Sequence, residues 1–263
     1  MLPLLEILVP LIKAAAEDCF KQHCELERTF KDDGSFVTQM DEQLQKDITD
    51  RLKQAYPQYT LLGEEMTRGE QQALLDDSAS GLWVLDPIDG TTNFSTGFPV
   101  YGVSLAFVQS GQTRLAIVYD PVRDECFTAI NGEGAWLNEN KLTRSEVTEL
   151  SECIANVDYK RLTGDMASQL VICPPYRSQR NLGSSVIEWC WLAAGRFQVY
   201  LHGGQHLWDY AAAQLILSEA GGKASGMNGS AIRVDTLSKQ SVVAAGNSEL
   251  YVKWFKWIQG QTS

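Results

Sequence analysis

The chain has 263 residues, 44% of them hydrophobic, enough to bury one large core or two closely joined halves. Its formal charge of -11 argues against non-specific nucleic-acid binding, which depends on Lys and Arg neutralising phosphates, so an anionic ligand must be met by locally placed cations. Six cysteines, Cys19, Cys24, Cys126, Cys153, Cys173 and Cys190, form no C-x-x-C pair. That excludes a zinc ribbon or a redox motif and leaves reduced, packed thiols in a cytoplasmic protein as the expectation.

The opening run MLPLLEILVPLIKAAAEDCF lacks a basic leader region and carries Glu6, Pro10 and Lys13. It reads as an amphipathic helix with Leu5, Leu8, Ile12, Ala16 and Phe20 near one face rather than a signal peptide, and no run is long enough to cross a bilayer. Met40, Leu44, Ile48 and Leu52 recur every four positions, which predicts a second helix from Thr38 to Tyr56, stopped by Pro57. The strand TLLGEE then delivers Glu64 and Glu65 to its end, and Arg68 to Ser80 is a polar, short helical connection. GLWVLD is short, apolar and uninterrupted, the pattern of a buried strand with Asp86 at its end. Two strands around Ser110 and Gly111, between Tyr101 and Tyr119, lead into turn-rich Cys126 to Leu142, together an antiparallel meander. The first half, 1–150, is therefore α+β.

The second half, 151–263, opens with a strand at Cys153 to Val157 and a Pro- and Arg-containing segment, CPPYRSQRNLGSS, read as a loop at a site rim. A helix from Ser185 to Gly195, a strand from Phe197 to Leu201 and an alanine-rich helix from Trp208 to Ala220, closed by Gly221 and Gly222, follow. Strand SVVAAG and a last helix over Leu250 to Ile258 complete the chain. With no repeat and no linker, a single domain over 1–263 is expected.

The stretch WVLDPIDGTTNF carries the chemistry. Pro87 biases Asp86 toward extended backbone, Gly90 can adopt a conformation other residues resist, and a helix starting at Thr91 would aim the amides of Gly90, Thr91 and Thr92 at one spot, a natural phosphate seat. Carboxylates alone would repel that phosphate. A dianion about 4 Å from one carboxylate is disfavoured by roughly 8 kcal/mol at an effective dielectric near 20. Divalent cations reverse the sign, because an oxygen-rich site suits Mg²⁺ and paired ions can hold a phosphoryl group and activate water. Taken alone, DPIDGTT would pass for a turn. An aspartyl-nucleophile phosphatase needs its aspartates two apart, and an EF-hand needs regular acidic spacing, so neither fits.

GEE at Gly63 to Glu65, WVLDPIDGTTNF at Trp83 to Phe94 and WDYAAAQLILSEAGG at Trp208 to Gly222, in this order, resemble the inositol monophosphatase family of Mg²⁺-dependent, lithium-sensitive phosphomonoesterases. The resemblance runs from FVTQMD at Phe36 to Asp41 through Gly222. It implies a layered αβαβα sandwich of the inositol monophosphatase and fructose-1,6-bisphosphatase type, a homodimer, two or three Mg²⁺ per site, a small phosphorylated substrate, and neither nucleic acid nor membrane as partner. It further implies that Glu64, Asp86 and the carbonyl of Ile88 hold one ion and that Asp86, Asp89 and Asp209 hold a second. Glu64, the Thr91 hydroxyl and Asp41 would orient and deprotonate the attacking water. Asp89, Gly90, Thr91 and Thr92 would meet the phosphate, and Gly183, Ser184 and Ser185 would face the leaving alcohol.

The sequence departs from the family seven positions before Asp209. There the family carries a Glu that touches sugar hydroxyls, and this chain has His202, a substrate contact or a loop histidine. Arg177 and Arg180 are candidates for a second anionic group, or exposed solubilising charge. Glu65 is a neighbour of Glu64, while Trp208 and His206 are read as structural. Hydrolysis of an inositol or other polyol phosphate is the leading expectation. The alternatives are fructose 1,6-bisphosphate, a 3′-phosphoadenosine nucleotide, histidinol phosphate or NADP as substrate, or a metal- and phosphate-binding regulatory protein without turnover.

Overall fold

The computed structural model describes residues 2–21, 28–30 and 36–260, so Cys24 and the side chain of Phe20 lie outside the described residues. In chain order come α1 (Leu5–Lys21), a ribbon of β1 (Arg28–Phe30) and β2 (Phe36–Thr38), α2 (Gln39–Ala55), β3 (Thr60–Gly63), α3 (Arg68–Asp76) and β4 (Leu82–Asp89). The half continues with α4 (Thr91–Thr96), β5 (Gly102–Gln109), β6 (Gln112–Asp120), β7 (Glu125–Ile130), β8 (Gly134–Leu137) and β9 (Asn140–Lys141). The second half contains β10 (Ile154–Asp158), α5 (Gly164–Ile172), β11 (Ser178–Arg180), α6 (Ser185–Ala193) and β12 (Val199–Gln205). It ends with α7 (Leu207–Tyr210), α8 (Ala213–Glu219), β13 (Lys223–Ser225), β14 (Gln240–Ala245) and α9 (Ser248–Ile258).

Strands β3 to β9 form one sheet in sequence order, parallel only between β3 and β4, which contains the expected meander. The second sheet has the order β11-β10-β12-β14-β13, with β10 parallel to both of its neighbours. Alternation along β4 shows how the sheets are covered. Trp83 and Leu85 face α1 and α2, packing with Leu8, Ile12, Leu44 and Ile48, whereas Leu82 and Val84 face the opposite core with α6 and α8. That middle core also takes Tyr200, Val242 and Ala244 from the second sheet, whose other face packs Val157, Leu201 and Val243 against α5 and α9. Three cores separate five layers, the αβαβα sandwich. A strand covered on both faces needs no polar alternation, which is why β4 reads as a continuous apolar run.

Trp83 is 1% exposed and stands within 4.8 Å of Phe107 and 5.8 Å of Tyr56, ring centre to ring centre. Trp83→Ala should therefore cost about 3–5 kcal/mol of unfolding free energy, read from chemical denaturation midpoints. A loss below ~1 kcal/mol would mean that this layer collapses around the void.

Two expectations are corrected by the backbone. The helix expected over Trp208 to Ala220 is split between α7 and α8, because the Thr113 hydroxyl donates to the Ala211 carbonyl at 2.8 Å and Leu215 N–H turns to Ala212 at 3.1 Å. The segment expected as a loop contains β11, which extends the second sheet by pairing with β10. Cys19, Cys126, Cys153 and Cys190 are buried free thiols, as expected, whereas Cys173 is exposed. Among the described residues no helix is long and apolar enough to cross a membrane.

Candidate active site

Asp86 and Asp89 are three residues apart, a spacing that in a regular strand sends side chains to opposite faces. Strand β4 avoids this with a bulge. Asp86 pairs with Ser104 and Asp89 with Gly102, so three steps on β4 answer two on β5. The extra residue turns both carboxylates to one side, where their ligand atoms and one from Asp209 lie within 4.8 Å of one another.

Each neighbour of this cluster is fixed by its own element. Asp209 enters in the first turn of α7, with the His206 N–H donating to its Oδ2 at 2.8 Å. Glu64 is held just beyond β3, its N–H donating to the Leu85 carbonyl at 3.2 Å and its own carbonyl accepting from Gln71 Nε2 at 3.2 Å. Asp41, 1% exposed, stands in the first turn of α2. Asp89, at the end of β4, abuts the start of α6, where its Oδ2 accepts from the Ser184 hydroxyl at 2.5 Å and the Val186 N–H at 3.0 Å.

Crowding decides the electrostatics. Burial, then the charges of Glu64, Asp89, Asp209 and Asp41, push Asp86 well above the ordinary carboxylate range. Burial and the Asp209 charge do the same to Asp89 despite its hydrogen bonds, and burial and Glu64 push Asp209 up to about 7. Asp86 Oδ1 is buried without a hydrogen-bond partner. Mutually repelling carboxylates with a bare inward oxygen form an all-oxygen donor set that a hard divalent cation would satisfy, so the residues present fit such ions.

Beside the cluster the chain turns at Gly90, at φ 88°, into α4. A Cβ there would stand 3.0 Å from the Val100 carbonyl and 3.1 Å from the Ser184 Cβ, so only glycine fits both the space and the left-handed backbone. The Thr91 hydroxyl donates to the Ile88 carbonyl at 2.9 Å, leaving that oxygen a second lone pair. A cleft of about 440 Å³ opens over these groups. Its wall at Leu182 and Gly183 is clamped from both sides. Asn93 Nδ2 donates to the Leu182 carbonyl at 2.7 Å, and buried Glu188 Oε1 accepts both N–H groups at 2.7 and 3.0 Å.

These residues and the two-sheet fold match a known family. The model of the inositol monophosphatase family matches residues 2–259. The chain belongs to the inositol monophosphatase family. It is 34% identical over 218 residues to a protein of Pasteurella multocida named Nus factor SuhB, covering 80% of this chain and 79% of that one. It is 32% identical over 232 residues to inositol monophosphatase 1 of Bos taurus, covering 85% and 81%. Among solved structures, an IMPase/NADP phosphatase complexed with NADP and Ca²⁺ superposes with a TM-score of 0.85 at 25% identity, over 95% of this chain and 93% of that one.

For this family member the cleft gathers Glu64, Asp89, Gly90, Thr91, Thr92 and Asp209 from the expected set, with Gly183, Ser185 and His202. Ser184 is placed differently from expectation. It is 1% exposed and its hydroxyl braces Asp89, so it supports a carboxylate of the acidic cluster instead of opening to the cleft. Arg177 and Arg180 are exposed and do not line the cleft, and Arg180 folds back onto Ser178 Oγ and the Gln179 carbonyl, both at 2.7 Å. His202 is no loop residue but a member of β12, 4% exposed. His206 lines the cleft with its ring stacked on Trp208 at 4.8 Å. The cations that do line the cleft are Lys160, Arg161 and Lys239, which sequence reading missed. The adjacent pair in DYKR, directly after a predicted strand, was the available signal for two of them.

Proposed function

We propose that this chain hydrolyses a small phosphate monoester, with divalent cations, Mg²⁺ foremost, held by Glu64, Asp86, the Ile88 carbonyl, Asp89 and Asp209. The observation that carries this reading is the convergence of Asp86, Asp89 and Asp209 beside the Gly90 turn. Bound cations would neutralise the carboxylates, attract the phosphoryl oxygens and acidify water.

The chain's own groups do the rest. The amides of Gly90 and Thr91 receive phosphate oxygens at the start of α4, where backbone donors lack helical partners. Glu64 accepts the proton of the attacking water, and the Thr91 hydroxyl, anchored on Ile88, orients that water while Asp41 adds negative charge beside it. Ser184 and Val186 hold Asp89 in one rotamer, so the cluster is preorganised.

The test is phosphate release from a panel of sugar, inositol and nucleotide monoesters, with and without Mg²⁺ and with added Li⁺. Release that requires Mg²⁺ and is inhibited by Li⁺ is the expected result. Absence of Mg²⁺-dependent release from every ester would overturn the proposal. A metal- and phosphate-binding regulatory role without turnover is the second reading. It predicts a folded, cation-binding chain without turnover on the same panel.

A further inference from the structure

Arg161, Lys160 and Lys239 line the same cleft as the carboxylates in a chain of net charge -11. Their placement is built. Lys160 and Arg161 stand on a single 3₁₀ turn, Tyr159–Arg161, that is organised by Asp158. One Asp158 oxygen accepts the Lys160 N–H at 3.0 Å, and the other lies 3.5 Å from Arg161 Nε and 3.5 Å from His202 Nε2. His202 Nδ1 accepts the Gly204 N–H at 3.1 Å, so the ring's proton is on Nε2, directed at Asp158. Both ring nitrogens are thus engaged with the protein, and His202 braces the turn.

A further bulge lies here. His202 pairs with Val242 and Gln205 with Gln240, so Gly203 and Gly204 bow out of the β12 ladder. A Cβ on Gly203 would stand 1.5 Å from the Arg161 carbonyl oxygen, and one on Gly204 would touch the Lys239 Cβ at 3.7 Å. The two glycines therefore seat the Arg161 turn and the Lys239 stem against the same strand. Among the described residues neither Lys160 nor Lys239 has a carboxylate within ion-pairing distance; their charges act on Asp158 and Asp209 only through space.

We infer that Lys160, Arg161 and Lys239 form a subsite for a second anionic group, phosphate, sulfate or carboxylate, carried by the leaving alcohol, so that the preferred substrate is doubly anionic rather than a neutral polyol phosphate. This rests on the proposed phosphomonoesterase activity. Two divalent ions would balance the four ligand carboxylates of Glu64, Asp86, Asp89 and Asp209, and Asp158 pairs with Arg161, which leaves Lys160 and Lys239 as the cleft cations without an ion-pair partner among the described residues. Service to the transferring phosphate itself is the competing role, and it predicts equal dependence on these cations for every ester.

The experiment compares two ester pairs, fructose 1-phosphate with fructose 1,6-bisphosphate and adenosine 3′-phosphate with adenosine 3′,5′-bisphosphate, on the full chain and on Arg161→Ala and Lys239→Ala. Charge-assisted hydrogen bonds make a preference of about tenfold or more in kcat/KM for at least one bisphosphate the expected result. Each variant should raise KM for that bisphosphate by about tenfold and change its monophosphate partner less than about threefold. Equal rates within both pairs, or equal losses for both members of each pair, would overturn the inference. Calorimetric binding of the same four compounds in Ca²⁺ separates this result from the parent reading. A binding gap that closes in the variants, without turnover, would sink the phosphatase proposal and keep the subsite, whereas turnover without a gap would do the reverse.

Discussion

Asp89→Asn should lower kcat by about 10³-fold or more while leaving the protein folded, because a lost cation ligand removes several kcal/mol of transition-state stabilisation. The geometry explains why the fold survives. Oδ2 of Asp89 accepts from Ser184 and Val186, a role the Asn carbonyl oxygen can take over. The amide nitrogen then replaces the remaining oxygen and presents hydrogens where a cation requires a lone pair. Removing one charge from a mutually repelling cluster should also leave the metal-free protein at least as stable as the parent. Phosphate release and thermal unfolding in EDTA test both halves of this expectation. A variant with near-parental turnover would refute Asp89 as a cation ligand, and one that unfolds would show that its carboxylate is structural.

Without divalent cations the protein should lose stability as pH rises from about 4 to about 7. The sign follows from the raised pKa values of Asp86, Asp89 and Asp209. Each folded-state pKa exceeds the unfolded one, so the native state holds protons that the unfolded chain releases. Stability is then fully present below the unfolded value and lost as pH climbs through the folded one. For Asp209 the shift from 3.8 to about 7 sets an upper limit of about 4 kcal/mol, reduced because the side chain is partly open to the cleft. Mg²⁺ should therefore raise the Tm much more at pH 8 than at pH 5. A metal-free Tm that is flat or rises over this interval, or an Mg²⁺ effect independent of pH, would contradict the crowded-carboxylate description.

Sequence reading succeeded for elements and for the acidic cluster wherever local pattern determines structure. The β4 run announced a strand covered on both faces, four-residue spacing announced α2, and Asp86, Asp89 and Asp209 converge as the motifs implied. It failed where a contact distant in sequence decides the outcome. Nothing local to the alanine-rich segment shows that Thr113, 98 residues earlier, splits α7 from α8. Nor does a serine after a glycine show that it will turn inward to Asp89 instead of outward to a substrate. Of the two alternatives open for Arg177 and Arg180, exposed charge holds, and the cations that line the cleft went unnoticed for the same reason. Arg180 lies on the edge strand β11, whereas the Asp158 turn and the β12 bulge, set by pairing within the second sheet, bring Lys160 and Arg161 to the cleft.

The middle helical layer has a consequence for cooperativity. Asp86 and Asp89 belong to one sheet, Asp209 follows the other, and α6 and α8 pack between the two in a shared core. No partly folded form with a single sheet intact can carry the full ligand set. Cation binding as proposed would thereby be tied to the global unfolding equilibrium, adding about 2.7 kcal/mol at a hundredfold excess over Kd, and would make the two halves open as one unit rather than in turn.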